Sequence, residues 1–172
     1  MNDTTTVTTD EREDLLETLA THREFLRRTV RGLTPEQLAR RTTVSELCLG
    51  GIIKHVAAME RQWAGFIVEG FPERVLDEAT LAQYRRQFQV EEGDTLESLL
   101  AGYEDAARAT DDLIRTVGDL DASRPLPPAP WFKPGARWSA RRAILHILAE
   151  VSQHAGHADI IREALDGQKT MG

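Results

Sequence analysis

The sequence predicts an all-α protein, a four-helix bundle, and three observations lead there. Apolar residues recur at spacings of three and four in four long stretches of the 172-residue chain. Helix start and stop signals bracket those stretches, and no segment sustains the period-two alternation of a strand.

The first helix is expected over residues 10–31, where Leu15, Leu16, Leu19, Phe25, Leu26 and Val30 form an apolar stripe between charged positions. Gly32 stops it. Thr34-Pro35-Glu36-Gln37 then reads as the cap and first turn of a short helix ending near Arg41, because proline is tolerated where no N–H partner is needed. The second long helix covers residues 47–69, with Leu49, Ile52, Ile53, Val56, Met59, Trp63, Phe66 and Ile67 in register. Gly50 and Gly51 fall in its first turn, where they cost helix propensity but permit close approach of a neighbour or ligand. Residues 70–93 form a connection long enough for a lid or binding role, with one short helix around 80–88.

Asp94 and Glu97 have the spacing of a helix-start capping pair, and Leu96, Leu99, Leu100, Tyr103, Ala107, Leu113, Ile114 and Val117 carry the third long helix to Gly118. Residues 119–138 hold five of the seven prolines together with Trp131, Phe132 and Trp138. They are expected to lack regular structure and to form an aromatic-lined loop. Ser139 caps the last helix, which runs to Asp166 with Ile144, Ile147, Leu148, Val151, Ala158, Ile161 and Leu165 inward and Gly167 as its stop.

Composition narrows the function classes. An apolar fraction of 41% with 28% charged residues belongs to a folding chain. Residues 1–9 read as a disordered head and 10–172 as a single bundle domain. A net charge of −7 supplies no basic surface for phosphate neutralisation, so nucleic acid is not an expected partner. The Thr-rich, acidic start has neither the positive charge nor the apolar run of a signal peptide, and no stretch has the length of a membrane span. The single cysteine, Cys48, allows no intrachain disulfide. These features predict a soluble cytoplasmic protein.

The chemistry concentrates on the last helix. His146, Glu150, His154 and His157 are separated by four, four and three, which at about 100° per residue places them on one stripe. Glu150 and His154, one turn apart, can reach a common ion, and bundle interiors build metal sites from such facing side chains. The remaining ligand must come from a facing helix. His55, in Gly51-Ile52-Ile53-Lys54-His55-Val56, is the other histidine set mid-way in a strongly apolar helix. Two imidazoles and a carboxylate suit zinc, or less selectively nickel, iron or manganese, and leave positions open for water or substrate. The alternative is that each histidine is a satisfied core or surface group and Glu150 a solvated helix charge. No H-E-x-x-H run is present, and His154 and His157 lack the second E-x-x-H helix of a di-iron bundle.

Leu49-Gly50-Gly51-Ile52-Ile53-Lys54-His55-Val56-Ala57 and Glu60-Arg61-Gln62-Trp63 resemble the second helix of the DinB-like superfamily. Trp138-Ser139, His146-Ile147-Leu148-Ala149-Glu150-Val151, His154-Ala155-Gly156-His157-Ala158-Asp159 and Arg162-Glu163 resemble the last helix of its actinobacterial branch. The resemblance covers nearly the whole chain after the head and implies a DinB-like four-helix bundle. Many relatives use three histidines, the last two four apart; here Glu150 stands at the first of those two positions. The resemblance to the mycothiol-dependent maleylpyruvate isomerase branch implies a zinc triad of His55, Glu150 and His154. His157 falls where many relatives carry glutamine, and is a candidate fourth ligand, supporting group or proton carrier.

Other residues carry competing readings. His146 lies about 12 Å from His154 by helical rise, too far to share its ion, and reads as a group behind the ligands or as core. His22 is expected to be a buried, hydrogen-bonded histidine, and Cys48 a small buried residue rather than a nucleophile. Trp131 and Trp138 are candidate pocket residues, whereas Trp63 reads as core. The resemblance implies a metal-dependent thiol S-transferase using mycothiol against a small electrophile. The arginine bias, with Lys54, Lys133 and Lys169 the lysines among 21 basic residues, favours mycothiol over bacillithiol. A metal-binding sensor without turnover and a metal-dependent hydrolase compete with it. The resemblance and the exposed-looking aromatic loop also imply a homodimer.

Overall fold

Each long helix but one begins where a side chain answers its unpaired backbone donors. The computed structural model describes residues 10–72 and 77–170, and the expected disordered head, residues 1–9, lies outside them. Helix α1 (Glu11–Thr29) starts on the Asp10 carboxylate, which accepts from the Arg12 N–H. The short α2 (Pro35–Ala39) has a full capping box between Thr34 and Gln37, as its sequence predicts. Helix α3 (Leu49–Glu69) starts two residues later than expected, with Cys48 at its cap and no side-chain bond there. Helix α4 (Glu78–Arg86) is the short helix of the connection, capped by Asp77.

Helix α5 (Leu96–Thr116) corrects the expected cap: Thr95, not Asp94, opens it, in a reciprocal box with Ser98. Asp94 is engaged elsewhere, accepting from the Glu91 N–H at 2.8 Å and meeting Lys54 Nζ of α3 at 2.9 Å. The proline-rich segment is also not wholly irregular. Strands β1 (Ser123–Pro125) and β2 (Arg137–Ser139) pair antiparallel, Arg124 opposite Trp138. Proline is tolerated because Pro125 ends its strand in a two-stranded ribbon, where one edge needs no donor. The Arg124 side chain donates to the carbonyls of Ile67 and Val68, covering open acceptors at the end of α3. Helix α6 (Ala140–Asp166) is capped by Ser139 and closed by Gly167 at φ +80°, both as expected.

The four long helices form a ring in which α1 packs on α6, α6 on α3, α3 on α5 and α5 on α1. This is the all-α four-helix bundle. Leu19, Leu26, Ile52, Ile53, Val56, Ile114, Ile144, Ile147 and Val151 fill the centre with essentially no exposure. Among the described residues no helix is long and apolar enough to cross a membrane.

One feature of the core is charged. Arg23 of α1 and Glu60 of α3 are 2% and 0% exposed, and form a two-pronged pair at 3.0 and 2.5 Å. Asp111 of α5 takes a further Arg23 nitrogen at 2.6 Å, so one guanidinium ties three helices. Beside it the buried Tyr103 phenol is pushed far up, by burial first and by the Glu60 charge second. His22, expected to be buried, is instead half-buried with its ring edge on Phe25 at 5.9 Å. The inward face of α1 runs Leu15, Leu19, Arg23, Leu26, which turns the preceding residue about 100° away.

Candidate metal centre

His55 and its neighbours Ile52, Ile53 and Val56 are all buried on α3, so packing fixes the direction of the imidazole. Gly50 and Gly51 explain how the site is covered. A Cβ at Gly51 would overlap the Phe88 carbonyl, and one at Gly50 would lie 2.6 Å from Val90 Cγ2. The two glycines therefore let residues 88–90 lie directly on the first turn of α3. The neighbour foreseen there is chain backbone. Lys54 pins the same segment, reaching the Gln89 carbonyl at 3.3 Å, Glu91 at 2.7 Å and Asp94 at 2.9 Å.

So held, Phe88 stacks on the His55 ring at 3.9 Å and 20°, and Tyr84, one turn earlier, meets the same ring edge-on at 6.0 Å. Sequence reasoning missed both. The glycine pair beside His55 was the signal that some segment must approach there.

Helix α6 brings Glu150 and His154 to the other side. One ligand atom from each of His55, Glu150 and His154 lies within 4.8 Å of the others. Glu150 Oε2 is 3.6 Å from His154 Nε2 and 4.0 Å from His55 Nε2, contacts longer than closed hydrogen bonds. Donors around a tetrahedral ion with bonds of about 2.0–2.1 Å stand roughly 3.4 Å apart, so inward movements of the three side chains would bring them to that spacing and leave a fourth position open. Imidazole from His154 and then His55 holds the Glu150 carboxyl well below the usual carboxylate range, against its burial, and keeps it anionic. The Nδ1 atoms of His55 and His154 are buried without a hydrogen-bond partner, while their Nε2 atoms face the carboxylate. Two nitrogens and one anionic oxygen at converging positions are a set that could hold a divalent ion.

The other candidates lie around this cluster. The His157 ring is 5.4 Å from that of His154, outside the three-donor set, with its Nδ1 buried and unpartnered. His146 sits one turn before Glu150, with Nε2 3.7 Å from Glu150 Oε1, and burial lowers its pKa against the pull of that carboxylate. Burial first, and the Glu150 charge second, raise the Tyr84 phenol. Trp138 stacks on Trp63 at 4.9 Å, and both touch the His146 ring. Trp131 is 67% exposed and contacts Phe132. Cys48 is buried, its Sγ 4.0 Å from the Phe88 carbonyl, in keeping with the reading as a small buried residue.

The chain matches the Mycothiol-S-transferase family over residues 14–167, a span that includes every residue of the centre. It belongs to the mycothiol-S-transferase family. The DinB-like resemblance of its second and last helices is thereby supported over nearly the whole chain. No protein of curated function matches it significantly in sequence. Among solved structures it is similar to a conserved protein from Enterococcus faecalis, with a TM-score of 0.67 over 94% of this chain and 100% of that one. At 12% identity that similarity concerns the fold. In this member of the family the side chains that could hold a metal ion are a histidine, a glutamate and a histidine, from α3 and α6.

Proposed function

We propose that the chain is a metal-dependent thiol S-transferase that joins mycothiol to a small electrophile. The supporting observation is the convergence of His55, Glu150 and His154 between α3 and α6, in a member of this family. Zinc suits the donors best, with nickel, iron and manganese as less selective occupants. When bound, the ion supplies the Lewis acidity that lowers a thiol's pKa from about 8.5 and favours thiolate.

The chain's own residues do the rest. Two neutral imidazoles and one carboxylate leave about one positive charge on a divalent site, which one thiolate balances. Phe88 covers the His55 face and shields it from water. His157, beside His154, takes the thiol proton. The sulfur electron pair then forms the S–C bond, and the leaving group departs with the electrons of the bond that breaks. Trp131 and Trp138 line the approach for thiol and electrophile. The reading includes a homodimer, supported by family likeness and the exposed Trp131 side chain. Light scattering at micromolar concentration tests it, and a monomer mass would remove it.

The test of function incubates zinc-loaded chain with mycothiol and a panel of small electrophiles, and follows thiol loss and thioether mass. Thioether formation should stop on chelation and return with metal. Equal rates in the chelated chain would overturn the reading. Electrophile breakdown without thiol loss would make it a hydrolase, and metal binding with no turnover a sensor.

A further inference from the structure

On the metal reading above, we propose that His146 is the residue that positions Glu150, engaging one carboxylate oxygen so that the other alone is offered to the metal. The two oxygens of Glu150 face different partners. Oε2 lies 3.6 Å from His154 Nε2 and 4.0 Å from His55 Nε2, whereas Oε1 lies 3.7 Å from His146 Nε2. His146 stands one turn N-terminal of Glu150 on α6 and His154 one turn C-terminal, so the carboxylate is flanked on both sides along one stripe, with His146 Nε2 just beyond hydrogen-bond length of Oε1.

Its neighbours hold His146 in that place. Its ring meets the Trp63 ring edge-on at 4.6 Å and 70°, and the Trp138 ring at 5.3 Å and 67°. Those two indoles stack on each other at 4.9 Å and 19°, and come from different elements, α3 and β2. Phe132 packs on Trp138 at 5.6 Å and Phe66 on Trp63 at 5.3 Å. The aromatic cluster thus forms a brace, and the imidazole is the polar group it aims at the ligand carboxylate. A carboxylate with both oxygens free can chelate an ion or turn to solvent. With its outer oxygen engaged, it binds through one, and two histidines plus one oxygen leave a fourth position open.

The test is a Co2+ titration of the full-length chain, read by visible absorption and by chelator competition. Wild type should give the intense band of a four-coordinate site. His146→Phe keeps a ring for the indoles to pack on but removes the N–H; its band should weaken as the coordination number rises, and its Kd should increase roughly 10- to 100-fold. His146→Gln places an amide N–H near the position of the imidazole Nε2 and should restore both toward wild type. A simple packing role would not produce that rescue. His146→Leu carries the same expectation as the Phe variant and is read in its place if the latter loses helical circular dichroism. Wild-type spectrum and affinity in these variants would overturn the positioning role alone. A wild-type chain that takes up no Co2+ would overturn the metal centre itself, and this inference with it.

Discussion

Gly51→Ala separates the covering segment from the helix beneath it. The substitution has two opposed effects of knowable size. Alanine in a helix is favoured over glycine by about 0.5–1 kcal/mol, so α3 alone would gain. The added Cβ, however, would stand 2.6 Å from the Phe88 carbonyl carbon and closer still to its oxygen, both of them backbone atoms with no rotamer to yield. Ordinary contact begins near 3.4 Å, so residues 88–90 must recede by about an ångström, and overpacking of this kind costs about 1–3 kcal/mol. The net loss is then roughly 0–2.5 kcal/mol, small enough for the bundle to remain folded. The Phe88 ring, stacked at 3.9 Å, loses its contact with His55. Urea unfolding followed by circular dichroism should show a modest shift. Hydrogen exchange should show the backbone amides of residues 86–91 exchanging faster, with those of 52–67 unchanged. Protection of residues 86–91 equal to wild type would refute the idea that the glycine is what admits the segment.

Two further outcomes follow from charge. Glu60→Leu leaves the fully buried Arg23 with only the partly exposed Asp111, and should cost about 3–5 kcal/mol in urea unfolding; the double variant Arg23→Met/Glu60→Leu should recover much of that loss, and no recovery would mean that shape rather than charge governs the site. Glu150→Gln keeps size and helix propensity but raises the net charge of an occupied site from about +1 to +2, so metal affinity and thiol turnover should fall while the helical circular dichroism signal stays. Wild-type metal affinity in that variant would place Glu150 outside the ligand set.

The four long helices were legible because their apolar stripes and caps are local, and the His55, Glu150, His154 set because two of its members share one helix turn. What escaped depended on contacts between distant segments. Nothing in the sequence sets Arg23 apart from the other charges on α1, and only the meeting of α1, α3 and α5 shows that it is enclosed with Glu60 and Asp111. The β1–β2 ribbon is three residues per strand within a proline-rich stretch, too short for period-two patterning to register. Asp94 has the spacing to Glu97 of a helix cap, yet Lys54 and the Glu91 amide compete for the same carboxylate. Phe88 falls at the end of the short helix expected around 80–88, and its place over His55 follows from a fit between backbones at Gly51.

The metal content of the purified chain, by elemental mass spectrometry before and after His154→Ala, bears most directly on the centre. The His154 imidazole is nearly buried, its Nε2 3.6 Å from the Glu150 oxygen that faces His55, and it supplies one of the three converging ligand atoms. Wild type should carry about one divalent ion per chain, and the alanine variant should lose most of it while keeping its helices. Unchanged metal content in His154→Ala, or a wild-type chain that stays empty when dialysed against zinc, would contradict the three-donor centre.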